Sequence, residues 1–378
     1  MSDERTPLLY LVHRIPYPPN KGDKVRSFNI LRQLAKRHRI FLGTFVDHPD
    51  DVRYIEQLSE WCEETHVVRL APRRARLGSL RGLLTGEALS LPYYRSAALA
   101  EWVGQVVARE GIGQAVVFSG PMAQYLDIPG LRRRIVDFCD LDSAKWTQYA
   151  SDHRWPMSWL YRREGRRLLA FERAAAARSD ASLFVTDAEA ALFRNVAPEL
   201  EAKIGVMQNG VDADFFSPEH DFANPYPAGG PVVLFTGAMD YWPNVDAVVW
   251  FAGELLPRIR TKFPGARFWI VGMNPTPAVQ ALAGESVVVT GTVPDVRPYL
   301  AHADVVVAPL RIARGIQNKV LEAMAMARPV VISSAAATGL EARPGYDCEI
   351  AHSGEEFVSR TVALLGEVAL RPTMGLAA

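Results

Sequence analysis

Three residues in one short stretch have the chemistry to hold a sugar diphosphate and the ribose beside it. They lie within DVVVAPLRIARGIQNKVLEAMAMARPVVISSAAATGL, from Asp304 to Leu340. Gly315 lets an anion approach the backbone, Lys319 supplies a point charge, and Glu322 can accept hydrogen bonds from two vicinal hydroxyls. The stretch reads as strand, loop, helix, strand. Asp304–Ala308 has no polar alternation and suits a strand buried on both faces. Pro309 ends it, Lys319–Ala327 is rich in helix formers, Pro329 stops that helix, and Val330–Ser333 is the next strand. A loop leaving a parallel strand for a helix N-terminus presents free N–H groups and the positive end of the helix dipole. A lysine is unfavourable at that end unless an anion joins it. Arg311 and Arg314 add charge nearby, for the diphosphate, an acidic sugar or an anionic acceptor. Taken alone, Glu322 also fits a solvated carboxylate favoured by the dipole, Lys319 an ordinary surface lysine, and one of Arg311 and Arg314 a cation that only pairs with a neighbouring carboxylate.

A second set of polar residues lies earlier in the chain. Asp137, Asp140 and Asp142 cluster at the end of an expected strand, where carboxylates cap helices, bind metals or act as bases. Gly22 follows the first strand in a loop His13–Lys24 whose prolines forbid regular structure, and Lys24 and Arg26 are near it in sequence.

The elements that must position these residues alternate. Strands are expected at Leu8–Val12, Ile40–Val46, Thr65–Leu70, Ala115–Ser119, Ile135–Phe138 and Ala181–Val185, the last closing a first set. Helices are expected at Ser27–Arg37, Val52–Cys62 and Ala188–Asn195. The rhythm restarts at Pro231, with strands at Val232–Thr236, Arg267–Val271, Ser286–Thr290, Asp304–Ala308 and Val330–Ser333. Strand–helix alternation predicts parallel sheets with helices on both faces, and ligands beyond the strands' carboxyl ends. At 378 residues, two α/β domains are expected.

Lysines and arginines number 42, as do aspartates and glutamates, so bulk charge argues against a nucleic-acid binder. Cys62, Cys139 and Cys348 show neither a disulfide framework nor zinc spacing, which suits a reducing cytosol. No signal peptide or membrane span is expected. Segment 154–178 opens with Trp155, Trp159 and Tyr161 and is rich in arginine. It is either a surface helix packing Leu168, Leu169 and Phe171, or a helix lying on an anionic membrane. A basic loop holding Arg73, Arg74, Arg76 and Arg81 is a second candidate for membrane phosphates or a lipid-diphosphate acceptor.

Three motifs together resemble one family. GIQNKVLEAMAMARPVV followed by ATGL, NGVD (Asn209–Asp212) followed by Phe216-Ser217-Pro218, and GAMDYWPNVDA from Gly237 are similar to the GT-B glycosyltransferases of family four, the group 1 enzymes. HRIPYPPNKGDKVRSFNILRQL and DFCDLDSAKW look more narrowly like sugar transferases of exosortase and exopolysaccharide systems. The resemblance implies a GT-B fold of two doubly wound Rossmann-like domains facing across a cleft. Residues 1–208 would be the acceptor side, 209–230 a hinge, and 231–378 the donor side. It implies that Glu322 holds the donor ribose and that Gly315 and Ile316 face the diphosphate. Gly22, Gly237 and Asn244 would lie near the donor phosphates, and Thr292 and Val293 near the nucleobase. Arg314 stands where the family commonly has a glutamate contacting the donor sugar. That puts Arg314 and Lys319 forward as the cations for the leaving diphosphate, with Asp137 or Asp140 as acceptor-side base or orienter. The implied activity is retaining, metal-independent transfer from a UDP- or GDP-sugar to a saccharide or lipid-linked saccharide, without a cofactor. It would take place in the cytoplasm, with possible peripheral contact at the inner membrane. A GT-B nucleotide-sugar epimerase and a non-catalytic subunit of a polysaccharide assembly complex are the alternatives.

Overall fold

The computed structural model describes residues 5–19, 22–151, 153–313 and 315–367. It divides into two units, Met1–Gln208 and Asn209–Ala378.

The first unit is built on a seven-stranded parallel sheet. Its strands are β1 (Thr6–Val12), β2 (His38–Val46), β3 (Glu64–Arg69), β4 (Gln114–Phe118), β5 (Arg133–Cys139), β6 (Ala181–Phe184) and β7 (Ile204–Val206). They run in the order β3-β2-β1-β4-β5-β6-β7. Period-two alternation along β1 sorts its side chains. Leu9 and Leu11 enter one apolar layer, while Leu8, Tyr10 and Val12 enter the other. Both faces are therefore covered, as parallel sheets require.

The second unit is a six-stranded parallel sheet of β8 (Val232–Thr236), β9 (Arg267–Val271), β10 (Val287–Gly291), β11 (Val305–Ala308), β12 (Val330–Ser333) and β13 (Glu349–Ala351). Its order is β10-β9-β8-β11-β12-β13. The segment before β8 is docked on this unit. The Arg297 guanidinium lies 3.7 Å from the Phe215 ring centroid, and the Tyr226 hydroxyl donates to Tyr299 O at 2.7 Å.

Both sheets reverse direction of winding once, between β1 and β4 and between β8 and β11. Those are the crevices where loops diverge and ligands of doubly wound sheets sit.

Several expected elements take another form. Val52–Cys62 is not an α-helix but two 3₁₀ segments, Pro49–Tyr54 and Glu56–Glu60. Val52, Ile55, Leu58 and Trp61 recur every three residues and pack on one core, which is the 3₁₀ repeat. The first helix starts at Gly22, not Ser27, so the loop after β1 is shorter than its prolines suggest. β7 and β13 are three-residue strands too short to register as patterns, and β7 rather than β6 closes the first sheet. Arg73, Arg74 and Arg76 lie on a helix, Pro72–Ser79, rather than in a loop. The arginine-rich segment forms the helix Met157–Arg178, whose body packs Leu168, Leu169 and Phe171 inward. Among the described residues no helix is long and apolar enough to cross a membrane.

Candidate functional site

In the second unit, the loops after β8 and β11 carry the residues singled out by sequence. β8 ends at Thr236, and Gly237 leaves it at φ +152°, a conformation that L side chains rarely adopt. A Cβ on Gly237 would stand 2.9 Å from both Asn244 Nδ2 and Lys319 Nζ. The glycine is thus needed for backbone and space alike. Asn244 is buried in the first turn of the helix Trp242–Trp250. Its Nδ2 donates to Ala238 O at 2.8 Å, and its Oδ1 accepts from Lys319 Nζ at 2.6 Å. The ammonium also sits 4.1 Å from the Phe235 ring centroid, a cation–π contact.

Lys319 belongs to the helix Asn318–Ala325, whose first residues carry no side-chain cap. Glu322 follows three residues on, along the same helix face. No described residue donates a hydrogen bond to its carboxylate. Burial pushes the Lys319 ammonium down to about 7, against the upward pull of Glu322. Burial pushes Glu322 up to about 7, against the downward pull of Lys319. Both groups are held away from their ordinary charge states by desolvation, and an anion near one or hydroxyl donors near the other would restore them. Gly315 has φ +63° in the loop before this helix, and Ile316 is buried there. Arg314 lies outside the described residues. Arg311 is engaged in a two-pronged ion pair with Asp246. Thr292 and Val293 follow β10 at the same edge of the sheet, with Thr292 exposed and Val293 packed on the core. Asp295 accepts from the N–H of Arg297 at 2.9 Å and so serves as a helix-start cap.

In the first unit, the candidate carboxylates are differently placed. Asp137 is 1% exposed, and both its oxygens accept from Arg26, at 2.8 and 3.1 Å. Burial pushes its carboxyl up and Arg26 pulls it back. This is an internal ion pair that joins β5 to the first helix. Lys24 is likewise engaged, 2.8 Å from Asp51. Neither Lys24 nor Arg26 turns to an external phosphate. Asp140 keeps more access and shares the Lys145 ammonium with Asp142, at 2.8 and 3.1 Å. A Cβ on Gly22 would meet nothing within 4 Å, so packing does not require glycine there. Among the described residues no three His, Cys, Asp or Glu side chains gather as metal ligands would.

One cluster at the switch point of this sheet escapes a sequence reading. Arg14, just past β1, is held by Asp23 at 2.6 Å and Asp47 at 2.9 Å. His13 Nε2 lies 3.5 Å from the same Asp23 oxygen, and the ring stacks on Phe118 at 5.7 Å. Burial pushes Asp23 up, but His13 and Arg14 outweigh it and hold the carboxyl well below the usual range. A histidine–arginine pair at a strand's carboxyl end, with an aspartate opening the next helix, was the available signal.

Residues 230–367 match the family model described as glycosyl transferases group 1. A search of curated proteins found no match. Solved structures share the fold. Sucrose-phosphate synthase from Thermosynechococcus elongatus superimposes with a TM-score of 0.70 at 17% identity, covering 98% of this chain and 92% of the other. The Anabaena protein Alr3699/HepE, solved in complex with UDP, gives 0.64 at 15%, covering 98% and 93%. WaaG, a glycosyltransferase involved in lipopolysaccharide biosynthesis, gives 0.66 at 16%, also covering 98% and 93%.

Proposed function

We propose that this chain, whose residues 230–367 match the group 1 glycosyltransferase model and whose fold is shared with solved GT-B proteins, transfers a sugar from a nucleotide-sugar, UDP- or GDP-linked, to a saccharide or lipid-linked saccharide. The observation that carries this reading is the Lys319–Asn244–Gly237 contact at the switch point of the second sheet, with Glu322 on the same helix face. In it, Lys319 and the uncapped helix start bind the diphosphate, while Glu322 accepts from the ribose hydroxyls. Gly237, Asn244, Gly315 and Ile316 shape the phosphate pocket, Thr292 and Val293 face the base, and Gly22 belongs to the same donor set.

As the glycosidic bond breaks, negative charge gathers on the departing diphosphate. Lys319, with Arg314 beside it in sequence, is positioned to stabilise that charge, and preorganised cations stabilise a transition state best. This is the physical ground for a metal-independent reaction. Retention at the anomeric carbon rests on the family resemblance alone. On the acceptor side, Asp140 is favoured over Asp137, because Arg26 occupies both oxygens of Asp137. The group 1 match favours transfer over epimerisation or a non-catalytic role. UDP is favoured by the Anabaena structure that binds it. A role in exopolysaccharide synthesis, at the cytoplasmic face of the membrane with contact through segment 154–178, completes the reading and rests on sequence motifs.

The test is a thermal-shift panel of UDP, GDP, ADP and their sugars, with and without magnesium. A ligand that binds only the folded state must raise the melting temperature. One nucleotide raising it equally with and without metal supports the assignment. No nucleotide raising it at any concentration would overturn it.

A further inference from the structure

The Arg14 cluster at the switch point of the first sheet is left with two unsatisfied polar groups. Arg14 Nη1 donates to Asp23 Oδ2 at 2.6 Å. Its Nε and Nη2 both meet Asp47 Oδ2, at 3.0 and 2.9 Å. One guanidinium thus fixes a carboxylate that opens the first helix and another that follows β2. Burial opposes the Arg14 charge, and Asp23 and Asp47 outweigh it. The Asp47 side chain stays 21% exposed, and no described residue donates to its Oδ1.

Tyr94, just after the short helix Ser90–Tyr93, completes the cluster. Its ring stands edge-on to His13 at 5.7 Å and packs on Phe45 at 5.8 Å and Tyr93 at 4.8 Å. Its carbonyl accepts from the Tyr125 hydroxyl at 2.5 Å. Ring and backbone are held, while the Tyr94 hydroxyl bonds to no described residue. Burial pushes that hydroxyl well above its ordinary range, Arg14 pulls it back, and Asp47 and Asp23 push with burial. It therefore lies among these charges and keeps its proton.

An ionised carboxylate only accepts hydrogen bonds, whereas a phenol donates and accepts. Sugar hydroxyls also do both, so they satisfy the pair. A phosphate would meet two fixed carboxylates and an arginine already engaged by them. Aromatic walls around a few aimed polar groups are the usual lining of a small-molecule site. Because Arg14 locks both carboxylates beforehand, little freedom is lost on binding. Asp47 follows β2 and Asp140 follows β5, three strand spacings or about 14 Å along the sheet. One hydroxyl cannot meet both, so this cluster recognises rather than reacts.

We infer that Asp47 and Tyr94, oriented by Arg14 and His13, bind hydroxyls of a neutral saccharide and so select the acceptor. The choice of a saccharide deepens the proposed transfer and rests on it.

The experiment is saturation-transfer NMR on the full chain with the methyl glycosides of glucose, galactose, mannose, rhamnose and N-acetylglucosamine, and with glucuronate and glucose 6-phosphate. UDP is titrated by calorimetry into the same samples. At least one neutral glycoside should receive saturation and the two anions none. Tyr94→Phe keeps the ring and should weaken that glycoside about threefold to tenfold, and Asp47→Asn at least tenfold. Both should keep the parental UDP affinity, and Tyr94→Phe the parental melting temperature, which a structural role alone would lower. Parental glycoside binding by Tyr94→Phe, preference for the anions, or no glycoside binding at all would each overturn the inference. If UDP fails to bind while the glycoside pattern holds, the donor reading falls and the saccharide cluster stands. UDP binding with no glycoside bound strikes the cluster alone.

Discussion

Lys319 Nζ donates to Asn244 Oδ1 at 2.6 Å, and the other end of the same amide is fixed by Ala238 O at 2.8 Å. The orientation of Asn244 is therefore set by the backbone of its own loop, and its oxygen can only face the ammonium. Asn244 acts as a neutral strut. It holds the cation in place and leaves its charge for a ligand.

Two substitutions separate strut from cation. Lys319→Ala removes the proposed charged partner of the diphosphate, and such bonds contribute about 1.5–3 kcal/mol. UDP affinity should fall roughly tenfold to a hundredfold, while the free protein keeps or gains stability because a desolvated ammonium is gone. Asn244→Ala should weaken UDP by about tenfold and also destabilise the fold by about 1–3 kcal/mol, since Ala238 O loses its donor. Calorimetric titration and thermal unfolding read both quantities. Full donor affinity in Lys319→Ala would remove the diphosphate from this site.

The displaced titrations of Lys319 and Glu322 predict a proton exchange on binding that changes sign. Each group titrates near 7 in the free protein. A diphosphate raises Lys319, so at pH 8 binding takes up a proton, Glu322 being already ionised. Ribose hydroxyls donating to Glu322 lower it, so at pH 6 binding releases a proton, Lys319 being already charged. Calorimetry in buffers of different ionisation enthalpy measures the count. Release at pH 8, or no exchange at either pH, would show that the two groups do not meet the ligand as proposed.

Asp137 and Asp140 stand three residues apart in sequence and answer differently to substitution. Asp137→Asn leaves the Arg26 guanidinium buried without its counter-charge, and breaking a buried pair costs about 3–5 kcal/mol. Its melting temperature should fall steeply, with any loss of turnover following from unfolding. Asp140→Asn leaves Lys145 paired with Asp142. It should stay folded and lose acceptor turnover with little change in UDP affinity. A stable Asp137→Asn protein with no activity would return the acceptor role to Asp137.

Much of this was legible because apolar periodicity and family motifs are local. Val305–Ala308 could only be a buried strand, and Pro309 and Pro329 bracket the loop and helix that follow it. Pairings across a hundred residues were not legible. Arg26 reads as a free cation beside Gly22 until the fold brings β5 alongside and Asp137 claims it. Arg311 reads as a phosphate ligand until the helix Trp242–Trp250 presents Asp246. The 3₁₀ segments between β2 and β3 failed for another reason. Val52–Cys62 has the composition of a helix, and only its repeat of three, which drifts about half a turn from a repeat of 3.6 over nine residues, marks it as 3₁₀.

Glu172 offers a stability test outside the candidate site. It is buried on the helix Met157–Arg178. One carboxylate oxygen accepts from Ser143 N at 3.3 Å, and the other has no partner. Burial pushes its carboxyl up to about 8, against the pull of Ser143. The unfolded chain releases this proton near 4.5, and the folded chain holds it until about 8. The contribution to stability is therefore whole below pH 4.5, shrinks as pH rises, and is gone above 8. Glu172→Gln keeps the acceptor for Ser143 and abolishes that slope. Its melting temperature should equal the parent's at pH 4.5 and exceed it increasingly up to pH 8. If the variant were instead less stable than the parent at pH 8, Glu172 would be an ionised cap for the helix Asp142–Ser151, and its burial would be offset by that dipole.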